Sequence, residues 1–330
     1  MEIFRTIVPV FPSPIKINYS TKLMLQGSCF SEYIGNKLIE SKFLVNNNPF
    51  GIVFNPLSIA IQLERLMNPI EYTQDDLFFN EDIWCSFDHH SRFSSYDEAY
   101  CLSNINQQLL MSHDFLRKTD LLFLTFGTSY VFYLRGTDRV VSNCHKIPSK
   151  EFDRKRAAHQ HISSVFSELI PKLQTFNPNL HVVFTVSPIR HWKDGAHDNQ
   201  LSKANLLLAI DEITNTFQNT SYFPSYELIM DDLRDYRFYA EDMLHPNSLA
   251  INYIWERFKE CYMKPDTLSL MKEVEKIIQA ANHRPFNPKT EAFQSFARQF
   301  YDKIQHLKGQ YNISFEEEEK YFKSYLTNIS

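Results

Sequence analysis

The sequence predicts an α/β fold, a three-layer sandwich around a parallel sheet, followed by a helical C-terminal extension. Three observations predict it. Residues 23–26 (LMLQ), 120–126 (DLLFLTF) and 181–186 (HVVFTV) have the length and β-rich composition of buried strands. A helically spaced pattern follows each of them, directly or after a loop, as expected of strands crossed by helices. From about residue 266 the strand patterns stop and only helical spacing continues.

Taken in order, the first strand delivers Gly27-Ser28-Cys29-Phe30, and a helix is expected over 30–42 with Ile34, Leu38 and Ile39 on its apolar side. Asn55-Pro56 opens a second helix, with Asn as cap and Pro in the first position. Further helices are expected over 97–117, 150–175, 199–218 and 247–262, and a fourth strand over 226–230 (YELIM). The basic residues Lys146, Lys150, Arg154, Lys155 and Arg156 read as the solvated start of a helix. Beyond 266, helices are expected over 271–281, 289–307 and 315–326. Ser314 would cap the last, and the acidic run from Glu316 to Glu319 would favour its dipole. The division this suggests is one domain over 1–265 and an extension over 266–330.

Composition removes several classes of function. Only 7 glycines occur in 330 residues, and none are spaced for a dinucleotide fingerprint or a phosphate loop. A net charge of −5 with no basic block argues against a nucleic-acid partner. Five dispersed cysteines without a C-x-x-C pair suit a reducing compartment. The first twenty residues hold Pro9, Pro12 and Pro14 and no long apolar run, so neither a secretory signal nor a membrane span is expected, and the expected location is cytoplasmic. Asn143-Cys144-His145-Lys146 fits no zinc spacing, and neither a metal nor an organic cofactor is expected. His89-His90 and the His159/His161 pair read as surface residues.

In a parallel α/β sheet, chemistry gathers at the carboxyl ends of the strands. There the first strand presents Gly27, Ser28 and Cys29 just before a helix N-terminus, whose free N–H groups lower a thiol pKa and hold an oxyanion. Near residue 245 the run Asp242-Met243-Leu244-His245-Pro246-Asn247 sets an Asp and a His three apart. Such a carboxylate orients an imidazole whose other nitrogen serves as general base. After the 181–186 strand, Arg190, His191 and Lys193 are candidates to bind an anionic or sugar substrate, with Trp192 to stack on it. His145 is a further candidate substrate contact.

Together, GSCFS at 27–31 and Asp242-x-x-His245 resemble the SGNH (GDSL-like) hydrolase superfamily and, within it, the GSCFA family. NPFGIVFNPLSI (48–59), TFGTSYVF (125–132), SPIRHWKDG (187–195), LSKANLLLAI (201–210) and the stretch 222–247 are similar to that family, so the resemblance covers about residues 5–262. It implies an SGNH-hydrolase-like sheet and acyl-ester chemistry, either hydrolysis or O-acyl transfer. The substrate it implies is a small-molecule or glycan ester, such as an O-acylated cell-envelope precursor. His245 and Asp242 would be the catalytic base and its orienting acid. Cys29 would occupy the nucleophile position, with Ser28 as the alternative after a one-residue shift. The oxyanion would be held by the nucleophile's N–H, by Gly51, and by a third donor among Thr128, Ser129 and Asn143. Ser129 stands where the superfamily has Asn, which keeps open a second reading: a catalytically impaired binding or scaffold protein on the same fold.

Overall fold

The computed structural model describes residues 6–283, 286–288, 290–311 and 313–326. Along the chain, β1 (Lys22–Gly27) leads into α1 (Cys29–Glu40), β2 (Leu44–Asn47) and α2 (Pro56–Met67). A hairpin of β3 (Phe78–Asn80) and β4 (Ile83–Cys85) precedes α3 (Glu98–Leu116). Next come β5 (Leu121–Phe126), β6 (Tyr130–Leu134), β7 (Val140–Val141), β8 (Phe152–Arg156), α4 (His159–Phe176) and β9 (His181–Val186). They are followed by α5 (Gly195–Thr216), β10 (Thr220–Tyr222), the single turn α6 (Ser225–Glu227) and α7 (Ser248–Tyr262). The last helices are α8 (Pro265–Asn282), α9 (Glu291–Tyr311) and α10 (Glu316–Tyr325).

The central sheet has the order β10-β9-β5-β1-β2. Leu23 pairs with Leu121 and Leu121 with His181, so the strands are parallel and in step. Side chains of a strand alternate between faces. Met24, Leu122, Leu124, Phe126, Val182, Phe184 and Val186 accordingly share one face, in a single buried cluster with α2, α3, α4 and α5. The other face carries Thr125, bonded to Ser31 of α1 at 2.6 Å, and Thr185, bonded to Ser225 of α6 at 2.6 Å. The α/β class, the parallel sheet and the C-terminal helices are as the sequence predicts. In this order β1 and β5 form the topological switch point, where a crevice opens beyond the strand ends.

The chain divides into two compact units, one built mainly from Lys22–Asn36 and Val45–Trp255, the other from Phe11–Thr21, Lys37–Leu44 and the residues from Glu256 on. In the second, Val274, Ile277, Ala297, Ile304 and Phe322 are buried, and Phe300 stacks on Phe322 at 5.5 Å. Its acidic run does more than face solvent, because Glu318 is buried against Lys42 at 2.8 Å.

Four local expectations are corrected. Residues 226–230 are not a strand; they continue α6 into a wide helical turn over Leu228–Asp232, with Leu228 and Ile229 inward. A short apolar run has no period long enough to separate the two structures. The helix expected over 150–175 begins only at His159, and Arg154, Lys155 and Arg156 belong to β8, paired with β6. Phe315 rather than Ser314 stands at the cap position of α10. His89 is buried, ringed by Phe50, Tyr72 and Phe93. The helix expected over 289–307 is α9; Lys289 lies outside the described residues.

Candidate active site

The strand-end turn after β1 is possible only with glycine. Gly27 has φ +142°, and a Cβ there would lie 2.2 Å from the Thr125 carbonyl oxygen. Its N–H donates to Asn48 Oδ1 at 2.9 Å, and the next N–H, of Ser28, donates to Thr125 O at 3.2 Å. The chain is thus pinned to β5 until the first residue of α1, Cys29.

Ser28 and Cys29 take different jobs in this turn. Ser28 is buried, and its Oγ accepts from Phe30 N at 3.3 Å, the position of a helix cap. Cys29 is only partly buried. Both line a cavity of about 750 Å³ whose walls also include Phe54, Asn55, Thr128, Tyr130, Ser187, Arg190 and His245. Burial pushes the Cys29 thiol above its usual value, its own N–H opposes this, Glu32 adds to it, and Lys203 draws it back. The helix terminus therefore does not leave a low-pKa thiol, contrary to the sequence expectation; desolvation is the larger effect.

His245 lines the same cavity, with Asp242 bonded to its ring. Asp242 Oδ2 lies 2.5 Å from His245 Nδ1, and Asp242 Oδ1 accepts from the N–H groups of Leu244 and His245, each at 2.9 Å. Met243 takes the left-handed φ of +58° to close this turn. The backbone N–H of His245, then that of Leu244, and then the His245 ring hold the Asp242 carboxyl down at about 2. His245 Nε2 makes no hydrogen bond among the described residues. Among the described residues, no hydrogen bond joins Cys29 Sγ to His245; the two meet as walls of one space.

The expected oxyanion donors are scattered. Gly51 is outside the cavity lining, and its N–H closes a turn onto Asn48 O at 2.7 Å. Ser129 is fully buried, its N–H and Oγ tied to Ser202 Oγ at 2.8 and 3.2 Å. Asn143 bonds Ser91 and the N–H of His145 and is not among the residues lining the cavity. Of that group only Thr128 lines it, its Oγ1 3.0 Å from Ser202 Oγ.

His145 is likewise a structural residue: its Nε2 donates to Ser86 O at 2.8 Å and to His89 O at 3.1 Å. Arg190, His191 and Lys193 do line the cavity, with Trp192 between them. His191 is not a cation there, because burial and then the nearby Lys203 push it down to about 4. Arg190 is one: its Nη2 touches Met230 Sδ at 3.3 Å, its Nε is buried without a hydrogen-bond partner, and no carboxylate pairs with it among the described residues. Arg154, read from sequence as a helix start, ion-pairs with Asp194 and lies 3.8 Å over the Tyr130 ring.

Two residues of this region escape the motif reading. Asn55 was legible as a helix cap, which it is, with Oδ1 accepting from Ser58 N at 2.8 Å; that it also walls the cavity was not. Lys203, inside the family-like stretch LSKANLLLAI, is fully buried, whereas a lysine on a helix reads as solvated. Among the described residues, no group of three or more His, Cys, Asp or Glu side chains is placed to hold a metal ion, and no helix is long and apolar enough to cross a membrane.

Fold and site define an α/β protein in which a helix-terminal cysteine and a histidine paired with an aspartate line one strand-end cavity. The chain belongs to the GSCFA family, whose family model matches residues 22–258. A second model, the GSCFA domain protein C-terminal domain, matches residues 274–328. No protein of curated function matches the chain. Similar solved structures include a family 3 carbohydrate esterase from Clostridium thermocellum, at 12% identity over 76% of this chain and 97% of that one, with a TM-score of 0.36. A carbohydrate esterase family 3 structure from Talaromyces cellulolyticus is 11% identical over 77% of this chain and 99% of that one, with a TM-score of 0.35.

Proposed function

We propose that the chain is an acyl-ester hydrolase or O-acyltransferase working through Cys29, His245 and Asp242. The observation that carries this reading is the cavity itself, lined both by Cys29 at a helix N-terminus and by His245 with Asp242 on its Nδ1. In the reaction, Cys29 Sγ attacks the ester carbonyl and its proton passes to His245 Nε2. Asp242 holds the ring and offsets the positive charge it gains. The tetrahedral oxyanion is held by the N–H of Cys29, the Thr128 hydroxyl and the Asn55 amide. Asn55 Nδ2 donates to Ser58 Oγ at 2.9 Å and carries a second proton for this purpose. Collapse breaks the ester C–O bond, His245 protonates the departing alkoxide, and water or an acceptor hydroxyl then releases the acyl group from sulfur.

With its thiol pushed up, Cys29 is deprotonated by His245 during attack and not beforehand. An O-acylated sugar is the preferred substrate: Trp192 is 53% exposed at the cavity wall and offers a stacking face, and Arg190 offers an unpaired cation to an oxygen-rich or anionic substituent. The competing reading, a binding module on the same fold, draws support from the raised thiol and from Ser129 being turned away from the cavity.

Turnover of an activated aryl acetate separates the two. The catalytic reading expects hydrolysis by the native chain, lost in both Cys29→Ala and His245→Ala. Equal rates in all three proteins would leave only the binding module.

A further inference from the structure

A second cavity, of about 490 Å³, adjoins the first, and Arg190 and Trp192 line both. Its other walls include Tyr236, Tyr239 and the turn from Asp242 to Leu244. Trp192 is 53% and Tyr236 75% exposed, and the Tyr236 and Tyr239 rings lie 6.0 Å apart. Aromatic rings left open around a cavity offer flat apolar faces to a ring-shaped ligand. The short turn Tyr236–Phe238 is tied to the Asp-His turn. Ala240 N–H donates to His245 O at 2.7 Å, Asn247 N–H to Phe238 O at 2.9 Å, and Asn247 Nδ2 to Arg237 O at 2.7 Å. A ligand resting on Tyr236 is therefore held at a fixed place relative to His245.

The charges lining the second cavity are engaged, with one exception. Arg234 pairs with Asp231 at 3.1 Å, Asp235 Oδ1 accepts the N–H of Arg237 at 2.9 Å, and Asp242 holds His245. In the first cavity the lining carboxylate among the described residues is Asp194, and it pairs with Arg154. Arg190, common to both cavities, is the exception. Its Nη2 touches only the sulfur of Met230, its Nε has no partner, and no carboxylate pairs with it among the described residues. Most of the five donors of a guanidinium are thus unspent. Their fork matches a carboxylate or a phosphate in two parallel bonds. An oxyanion is favoured at Arg190, whereas Asp235 and Asp242 disfavour one at the walls they line.

We propose that the second cavity is a subsite for a further sugar unit, so that the ligand of this site is an acidic oligosaccharide, with one unit in each cavity and a carboxylate or phosphate on Arg190. This rests on the reading of the first cavity as the place of an acylated sugar, but the test measures binding and needs no turnover. Isothermal titration calorimetry on the full chain compares maltose, maltose 1-phosphate, digalacturonate and galacturonate. At least one acidic disaccharide should bind about tenfold more tightly than maltose, the scale of a charge-assisted hydrogen bond. Whichever does so names the anion as phosphate or carboxylate. Arg190→Met should bring it to the level of maltose, and Arg190→Lys should recover only part, because an ammonium lacks the fork. Tyr236→Ala should weaken the disaccharides by about two- to tenfold, the scale of a stacked ring, and galacturonate less. The comparison of acidic with neutral disaccharide on the native chain stands even where a variant does not fold. Equal affinity for all three disaccharides, or binding of none, overturns the proposal. So does an acid preference that survives in Arg190→Met, or digalacturonate losing no more than galacturonate in Tyr236→Ala. An aryl acetate left unhydrolysed by a native chain with this binding pattern would instead count against the catalytic reading alone.

Discussion

Asp242 Oδ2 lies 2.5 Å from His245 Nδ1 while Asp242 Oδ1 accepts two backbone N–H groups of the same turn. The carboxylate is therefore fixed by the backbone before it fixes the ring. Asp242→Asn keeps the shape of the turn but offers the ring a donor in place of an acceptor. The expected loss in kcat is on the order of 10²–10⁴-fold, with KM little changed. A loss confined to KM would assign Asp242 to substrate binding.

Ser28 and Cys29 are adjacent, but only one should be chemical. Ser28→Ala removes the cap on Phe30 N, and a cap is worth about 1 kcal/mol. Denaturant unfolding should show that loss, while ester turnover stays within a few-fold of the native rate. Turnover falling as far as in Cys29→Ala would move the nucleophile to Ser28.

Asn55 serves as both helix cap and cavity wall, and one substitution separates these roles. Aspartate caps as well as asparagine does but has no amide proton to give. Asn55→Asp should leave the melting temperature close to native and reduce kcat by about 10²-fold, the scale of one oxyanion donor. Unchanged kcat would leave Thr128 and the Cys29 N–H as the donors.

His89 makes the fold sensitive to acid. Burial pushes it down to about 3, with His145 adding to the effect. Unfolded, a histidine titrates near about 6.5. Between those values the unfolded chain binds the extra proton, so stability is complete above about pH 6.5 and declines as pH falls toward 3, by at most about 1.4 kcal/mol per pH unit for this group. His89→Gln should flatten the dependence of unfolding free energy on pH over that window. An unchanged slope would place the acid sensitivity elsewhere, with His191 as the next candidate.

The sequence is most legible where burial is deepest. β1, β5 and β9 are central strands whose apolar runs face helices on both sides, and their limits are readable to within a residue. The edge strands were not. β2 reads Leu-Val-Asn-Asn and β10 Thr-Ser-Tyr, too short and too polar to carry a periodic signal. At the site, Gly27, Cys29, Asp242 and His245 are readable because backbone geometry or chemistry restricts the residue type. Gly51, Ser129 and Asn143 rest on the family resemblance and His145 on its residue type, and their bonds in the structure go to a turn, to Ser202 of α5 and to loop residues. Lys203 lies in a stretch similar to the family, but its burial is not readable there, because it bonds the Gly127 and Ser187 carbonyls, which are far away in sequence.

The central claim is that Cys29 accepts an acyl group with His245 as its base. Brief exposure of the native chain to an activated acetyl ester, acid quenching and peptide mass mapping test it most directly. The account predicts an acetyl group on the peptide bearing Cys29, removable by hydroxylamine as a thioester, and greatly slowed in appearance in His245→Ala. Acetylation of Ser28 instead, or labelling of Cys29 at an equal rate in His245→Ala, would contradict it.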